Sequence, residues 1–216
     1  MSLSFDLYWS FRSPYSYLAT GRIVRLARDF DVEVRGKPVL PLAVRKPEFF
    51  ETVNPLWPPY LLRDTIRIAQ MNDIPYRIPA RPDPIVMDNP RKVAVDQPRI
   101  YRVSRLGAAA SEAGKGLEFA CEAAKDIWSG STDNWHEGDC LARAADRAGL
   151  DGAALDAKVA ADPAKYDAII AENQEAQTKT GHWGVPLFGF EGEPFFGQDR
   201  IDHLLWRMKQ KGLQRR

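Results

Sequence analysis

Phe5-Asp6-Leu7-Tyr8-Trp9-Ser10-Phe11-Arg12-Ser13-Pro14-Tyr15-Ser16-Tyr17-Leu18-Ala19 changes its hydrophobic period in the middle. Residues 5–10 are aromatic and β-favouring, which predicts a short strand. At Ser13 the pattern becomes that of a helix start. A hydroxyl residue stands at the cap and proline at the first helical position. Tyr17, Leu18, Ile23, Val24, Leu26 and Ala27 then recur at helical spacing to about Phe30. Val32, Val34 and Val39 mark a second strand closed by Pro41. Strand, helix, strand predicts a parallel βαβ unit.

Beyond Pro41 the character changes to alanine-rich helical patterns, roughly 59–71, 99–113, 117–128, 137–148, 153–159 and 165–179. Asn134 and Glu137 read as a capping box opening the fourth of these. Residues 74–98 carry Pro75, Pro79, Pro82, Pro84, Pro90 and Pro98. Such a stretch is either a lid or binding loop or a proline-stiffened surface crossing. After Gly181 the β signal returns, with strands predicted over 185–190 and 193–196 and Glu191-Gly192 as the turn between them. A last helix is expected over 199–211.

The chain of 216 residues allows one large domain, or a core with one insertion. With 44% hydrophobic and 27% charged residues it is globular and not disordered. A net charge of +1 gives no electrostatic footprint for nucleic acid. No apolar run approaches the ~18 residues of a membrane span, and no signal-peptide pattern opens the chain. Cys121 and Cys140 are too few for a disulfide framework and are not spaced as Cys-x-x-Cys. A reducing cytoplasm is the expected location. His136 and Cys140 would share a helix face at i, i+4, but no second ligand pair accompanies them. Capping and a buried cysteine are the reading there, and no metal is expected.

Two stretches carry chemistry. Ser13 stands where a strand hands over to a helix N-terminus, with orphan N–H groups and the positive dipole end converging on it. It serves either as a plain cap or as a stabiliser of an anion such as a thiolate. Pro186 cannot donate a ladder bond, so it sits at an edge or turn, and the Val185–Pro186 bond is open to the cis form. In that geometry the Val185 backbone can face an extended peptide ligand. Alternatively, Pro186 simply starts a strand.

Four stretches together resemble one family: residues 5–19, Tyr60-Leu-Leu-Arg-Asp64-Thr-Ile-Arg67-Ile-Ala69, Gly184-Val-Pro186-Leu-Phe188, and Phe196-Gly-Gln-Asp199-Arg-Ile-Asp202. They are similar, in order, to the thioredoxin-fold family of 2-hydroxychromene-2-carboxylate isomerase and the kappa-class glutathione transferases. DsbA oxidoreductases are more distant members. The resemblance implies an α/β fold, a thioredoxin-like domain (1–42 plus 180–216) with a large all-helical insertion (43–179). It also implies a glutathione-dependent isomerase of an aromatic-degradation intermediate, acting by reversible thiolate addition. A kappa-like transferase and a non-catalytic thiol-binding protein are the alternatives. DsbA-like chemistry is disfavoured, because Ser13-Pro14-Tyr15-Ser16 stands where the redox cysteine pair would be.

By the same resemblance Ser13 faces the glutathione sulfur. Val185 and Pro186 pair with the cysteinyl backbone, Gln198 and Asp199 hold the γ-glutamyl end, and Asn54 contacts the tripeptide. Phe11 and Arg12 would suit an aromatic substrate bearing a carboxylate. Trp183 either lines that site or packs. A small aromatic substrate and a homodimer are implied, with no nucleic acid or membrane partner. Trp57 occupies the place of a lysine in many relatives, so Arg45, Lys46 or Arg63 would have to replace its charge.

Overall fold

Leu3–Trp9 forms β1 and Val32–Pro38 forms β2, parallel and paired from Leu3↔Val32 to Trp9↔Pro38. The helix α1, Pro14–Asp29, is the crossover between them. These coordinates are a computed structural model that describes residues 2–89 and 92–216. β1 is buried on both faces, as a central strand between helical layers must be. Phe5, Leu7 and Trp9 enter the main core, while Tyr8 packs with Val39 and Leu187 on the other side. Burying each such side chain stabilises the fold by roughly 1.5–3 kcal/mol.

The chain then runs through α2 (Leu42–Arg45), α3 (Phe49–Thr52) and α4 (Trp57–Met71), and β3 (Met87–Asn89) pairs with β4 (Lys92–Val93). Next come α5 (Pro98–Glu112), α6 (Gly116–Trp128), α7 (Cys140–Arg147), α8 (Gly152–Ala161) and α9 (Pro163–Thr180). Proline stands in the first turn of α1, α4, α5 and α9, where its missing N–H costs nothing. The strands β5 (Leu187–Phe190) and β6 (Glu193–Phe196) close the sheet in the order β2-β1-β5-β6, both antiparallel to their neighbours. Glu191 and Gly192 turn between them with φ of 48° and 82°, the positive pair that a two-residue hairpin of matching twist needs. A single 3-10 turn, Gln198–Arg200, leads into α10, Ile201–Gln210.

The fold is thus α/β, a thioredoxin-like sheet interrupted by helices, as expected. Three local expectations fail. Residues 134–137 do not form a capping box. Asn134 is left-handed with φ of 53°, its carbonyl accepts from Glu137 N–H, and the helix starts only at Cys140. The cause is tertiary: Trp135 is fully buried and its Nε1 donates to the Pro82 carbonyl at 2.9 Å, which holds the segment as a turn. His136 therefore lies outside the helix and does not share a face with Cys140.

The stretch 43–179, for its part, was expected to be all-helical and is not. It contains the β3–β4 hairpin, and Gln97 bridges it by bonding Val86 N–H, Val86 O and Ala94 O. Tyr76 stacks between Tyr17 and Trp128, and Ile85 is buried. Pro90 lies outside the described residues. Among the described residues no helix is long and apolar enough to cross a membrane.

Candidate active site

The handover from β1 to α1 forms the floor of a cavity of about 760 Å³. Ser13 is the N-cap of α1, in extended conformation, and its Oγ accepts from Ser16 N–H at 3.2 Å. An oxygen that accepts from the helix keeps its own O–H to donate. That proton goes to the Val185 carbonyl at 3.4 Å, a long bond that joins the two ends of the chain. The Val185–Pro186 peptide is cis, and Gly197 N–H donates to the Pro186 carbonyl at 2.9 Å. So Ser13, Val185, Gln198 and Asp199, far apart in sequence, line one cavity.

Ser10 was not anticipated. It lines the same cavity, is 1% exposed, and its Oγ has no hydrogen-bond partner among the described residues. A buried hydroxyl without a partner is costly unless something else meets it. Tyr15 also lines the cavity and donates to Asp64 Oδ2 at 2.7 Å. Burial first, then that carboxylate, push the Tyr15 hydroxyl's pKa upward, so it stays a proton donor.

One wall is a row of rings. His182 stacks on Phe196 at 3.9 Å and on Trp183 at 5.4 Å, Trp183 leans on Phe49, and Phe49 meets Trp57 edge-on. His182 Nδ1 accepts from Gly184 N–H at 2.9 Å, and burial lowers its pKa. At Gly184 a Cβ would come within 2.3 Å of the Phe196 ring, so only glycine permits this approach. Trp183, left open between lining and packing, does both.

Charged groups frame the opening. Arg12 lines the cavity and makes a two-point ion pair with Asp83 of the proline-rich crossing, at 3.0 and 3.3 Å. Arg45 also lines it, half-buried, donating to Gln177 Oε1 and to the Trp183 carbonyl, both at 3.0 Å. Burial pulls the Arg45 pKa below the ordinary guanidinium value. Lys46 and Arg63 are exposed and do not line the cavity.

Three expected residues lie elsewhere. Phe11 is 1% exposed and faces the core, edge-on to Phe119 and against Gly107, because Gly107 leaves just the space its ring fills. Its expected place beside a substrate is therefore corrected. Asn54 does not line the cavity. Its Oδ1 accepts from Leu56 N–H at 3.0 Å and so caps a turn before α4. Pro186 is buried behind Val185 and does not itself line the space. Cys121 and Cys140, both half-buried, belong to α6 and α7 and lie away from the cavity lining.

The family model described as DSBA-like thioredoxin domain matches residues 5–209. No curated protein matches the chain in sequence. Among solved structures, a 2-hydroxychromene-2-carboxylate isomerase is similar with TM-score 0.65 and 22% identity, over 96% of this chain and 95% of that one. A probable DsbA oxidoreductase from Streptomyces coelicolor gives TM-score 0.69 and 17% identity, over 96% and 89%. The cytosolic disulfide reductase DsbM from Pseudomonas aeruginosa, in a structure with GSH, gives 0.61 and 14%, over 97% and 100%. At these identities the likeness to each is one of fold.

Proposed function

The chain belongs to the DSBA-like thioredoxin-domain family, and we propose that within it this protein is a glutathione-dependent isomerase of an aromatic-degradation intermediate such as 2-hydroxychromene-2-carboxylate. The observation that carries the reading is Ser13, a hydroxyl at the N-terminus of α1 that donates to the Val185 carbonyl on the lining of a cavity to which neither cysteine contributes. A thiol at that place has to arrive with a ligand.

The residues present fit such a ligand. Rotation of the Ser13 hydroxyl from the Val185 carbonyl towards a sulfur would free that carbonyl to accept an amide N–H of a peptide. The orphaned Ser10 Oγ offers a second donor on the same floor. The helix N-terminus favours negative charge there by roughly 0.3–1 kcal/mol. Hydrogen bonding and dipole both lower a thiol pKa. Gln198 and Asp199 are the proposed contacts of the γ-glutamyl end. The ring wall with Trp183, and Arg12 at the mouth, suit an aromatic substrate with a carboxylate.

Bound there, glutathione would supply a sulfur nucleophile whose reversible addition to a conjugated carbon lets the former double bond rotate and re-form, with the thiol recovered. Ser13 acts in this scheme as a stabiliser of negative charge and not as a covalent nucleophile. No histidine or carboxylate bonds its hydroxyl among the described residues, so no triad is assembled.

The test is turnover of 2-hydroxychromene-2-carboxylate with glutathione far below substrate. Many turnovers per thiol, with free thiol constant, are expected. A stable conjugate formed one-to-one with thiol loss would instead make the protein a transferase. Glutathione binding with no chemistry on this or related aromatic acids would make it a binding protein.

A further inference from the structure

We infer that Tyr15 is a catalytic residue that carries a proton between two substrate oxygens, with Asp64 as its proton partner. This rests on the isomerase reading above and adds to it the group that opens the substrate's ring.

The chemistry calls for such a group. In 2-hydroxychromene-2-carboxylate the double bond lies inside a ring and cannot rotate while that ring is closed. The carbon bearing the carboxylate is a hemiketal, with one hydroxyl and one ring oxygen. Opening it moves a proton. The hemiketal O–H bond breaks and its electron pair forms a ketone. The bond from carbon to ring oxygen breaks, and that oxygen takes up a proton as a phenol. Only then is the double bond conjugated to a carbonyl and open to a thiolate. Ser13 and the thiol serve this later step and leave the earlier one without an acid or base.

Tyr15 lies in the first turn of α1 and Asp64 midway along α4, and both line the cavity. Tyr15 donates to Asp64 Oδ2 at 2.7 Å, so its hydrogen is committed to the carboxylate and its oxygen is left to accept. The other carboxylate of the lining, Asp199, is paired with Arg200. Asp64 has no cationic partner among the described residues, so its charge is open to a proton. Tyr60, the other tyrosine of the lining, is exposed, and no carboxylate accepts from it among the described residues. Burial and Asp64 hold the Tyr15 phenol neutral, which keeps the proton in place at rest. In the reaction the hemiketal hydroxyl gives its proton to Tyr15 Oη as the proton of Tyr15 moves to Asp64. The ring oxygen then receives a proton back along the same path. Both residues end as they began, and no further reactant is consumed.

The test compares two substrates at saturating glutathione. One is 2-hydroxychromene-2-carboxylate. The other is the methyl ether of its open-chain cis form, which cannot close a ring and needs only thiol addition and rotation. Tyr15→Phe should lower kcat for the hemiketal by about hundredfold or more, the contribution of one placed acid–base group, with KM little changed. It should leave turnover of the ether, and the thiolate absorbance of bound glutathione, as in wild type. Asp64→Asn should give the same pattern, and it decides the matter if Tyr15→Phe fails to fold. Full hemiketal turnover in these variants overturns the inference while leaving the isomerase reading intact. So does an equal loss on both substrates, since Tyr15 would then shape the thiol site and move no proton. A wild type that turns over neither substrate overturns both readings.

Discussion

Ser10 and Ser13 divide the work of one floor between a paired hydroxyl and an orphan. Ser13 is bonded twice, to Ser16 N–H and to Val185 O, whereas Ser10 Oγ has no partner. Removing an orphaned buried hydroxyl relieves a desolvation cost, so Ser10→Ala should leave stability unchanged or raise it by up to about 1 kcal/mol. If Ser10 serves the bound sulfur, the same change should lower turnover by roughly tenfold. Thermal melts and steady-state rates on one preparation separate the two effects; unchanged turnover would reduce Ser10 to packing.

His182 gives the site a pH dependence with a defined sign. Its Nδ1 accepts from Gly184 N–H, and protonation there breaks that bond beside Val185. Burial lowers its pKa in the folded chain, so the unfolded chain takes up the proton first. The stability it contributes is complete above the unfolded value, about 6.5, and is lost as pH falls through the lower folded value. Melting temperature should therefore drop on acidification from neutral, more steeply in wild type than in His182→Gln. Identical slopes would show that the imidazole is not coupled to the fold.

At the scale of elements, the loop between β1 and α1 is set by the helical block as much as by its own sequence. Trp128 of α6 donates its Nε1 to the Phe11 carbonyl at 2.9 Å, and Phe11 packs on Phe119 of the same helix. Trp128→Phe keeps the stacking with Tyr76 but strands a carbonyl. It should cost about 1–3 kcal/mol in chemical denaturation and weaken ligand binding at Ser13 by loosening the loop. Full stability and full binding in this variant would mean that the loop holds itself.

The cap and proline that start α1 were legible because they act within four residues of sequence. The turn at 134–137 was not. Its polar pattern matches a capping box, and only the burial of Trp135 against Pro82 decides otherwise. The one-turn helices α2 and α3 leave no periodic trace at all, although α2 places Arg45.

Across the whole molecule, the main buried core runs from Phe5 and Phe188 in the sheet through Phe119 to Leu141 and Tyr166 in the helical block. The strand-helix-strand opening and the closing hairpin and helix were readable from hydrophobic period, and so were the longer helices between them, but not the β3–β4 hairpin. The pairing of β1 with β5 brings Val185 to Ser13, a contact across 172 residues. Only the fold makes that contact, and only the fold could sort Phe11 into the core and Asn54 onto a turn. Of the three cations that the resemblance offered, only Arg45 lines the cavity.

A thiol ligand bound at Ser13 should have its sulfur ionised. The most direct test is ultraviolet titration of glutathione thiolate in the presence of wild-type protein and of Ser13→Ala. Wild type should bind glutathione and ionise its thiol near neutral pH. Ser13→Ala, destabilised by only about 1 kcal/mol through loss of the cap, should shift that ionisation towards the value of free thiol. Absence of binding at millimolar glutathione, or the same ionisation in both proteins, would contradict it.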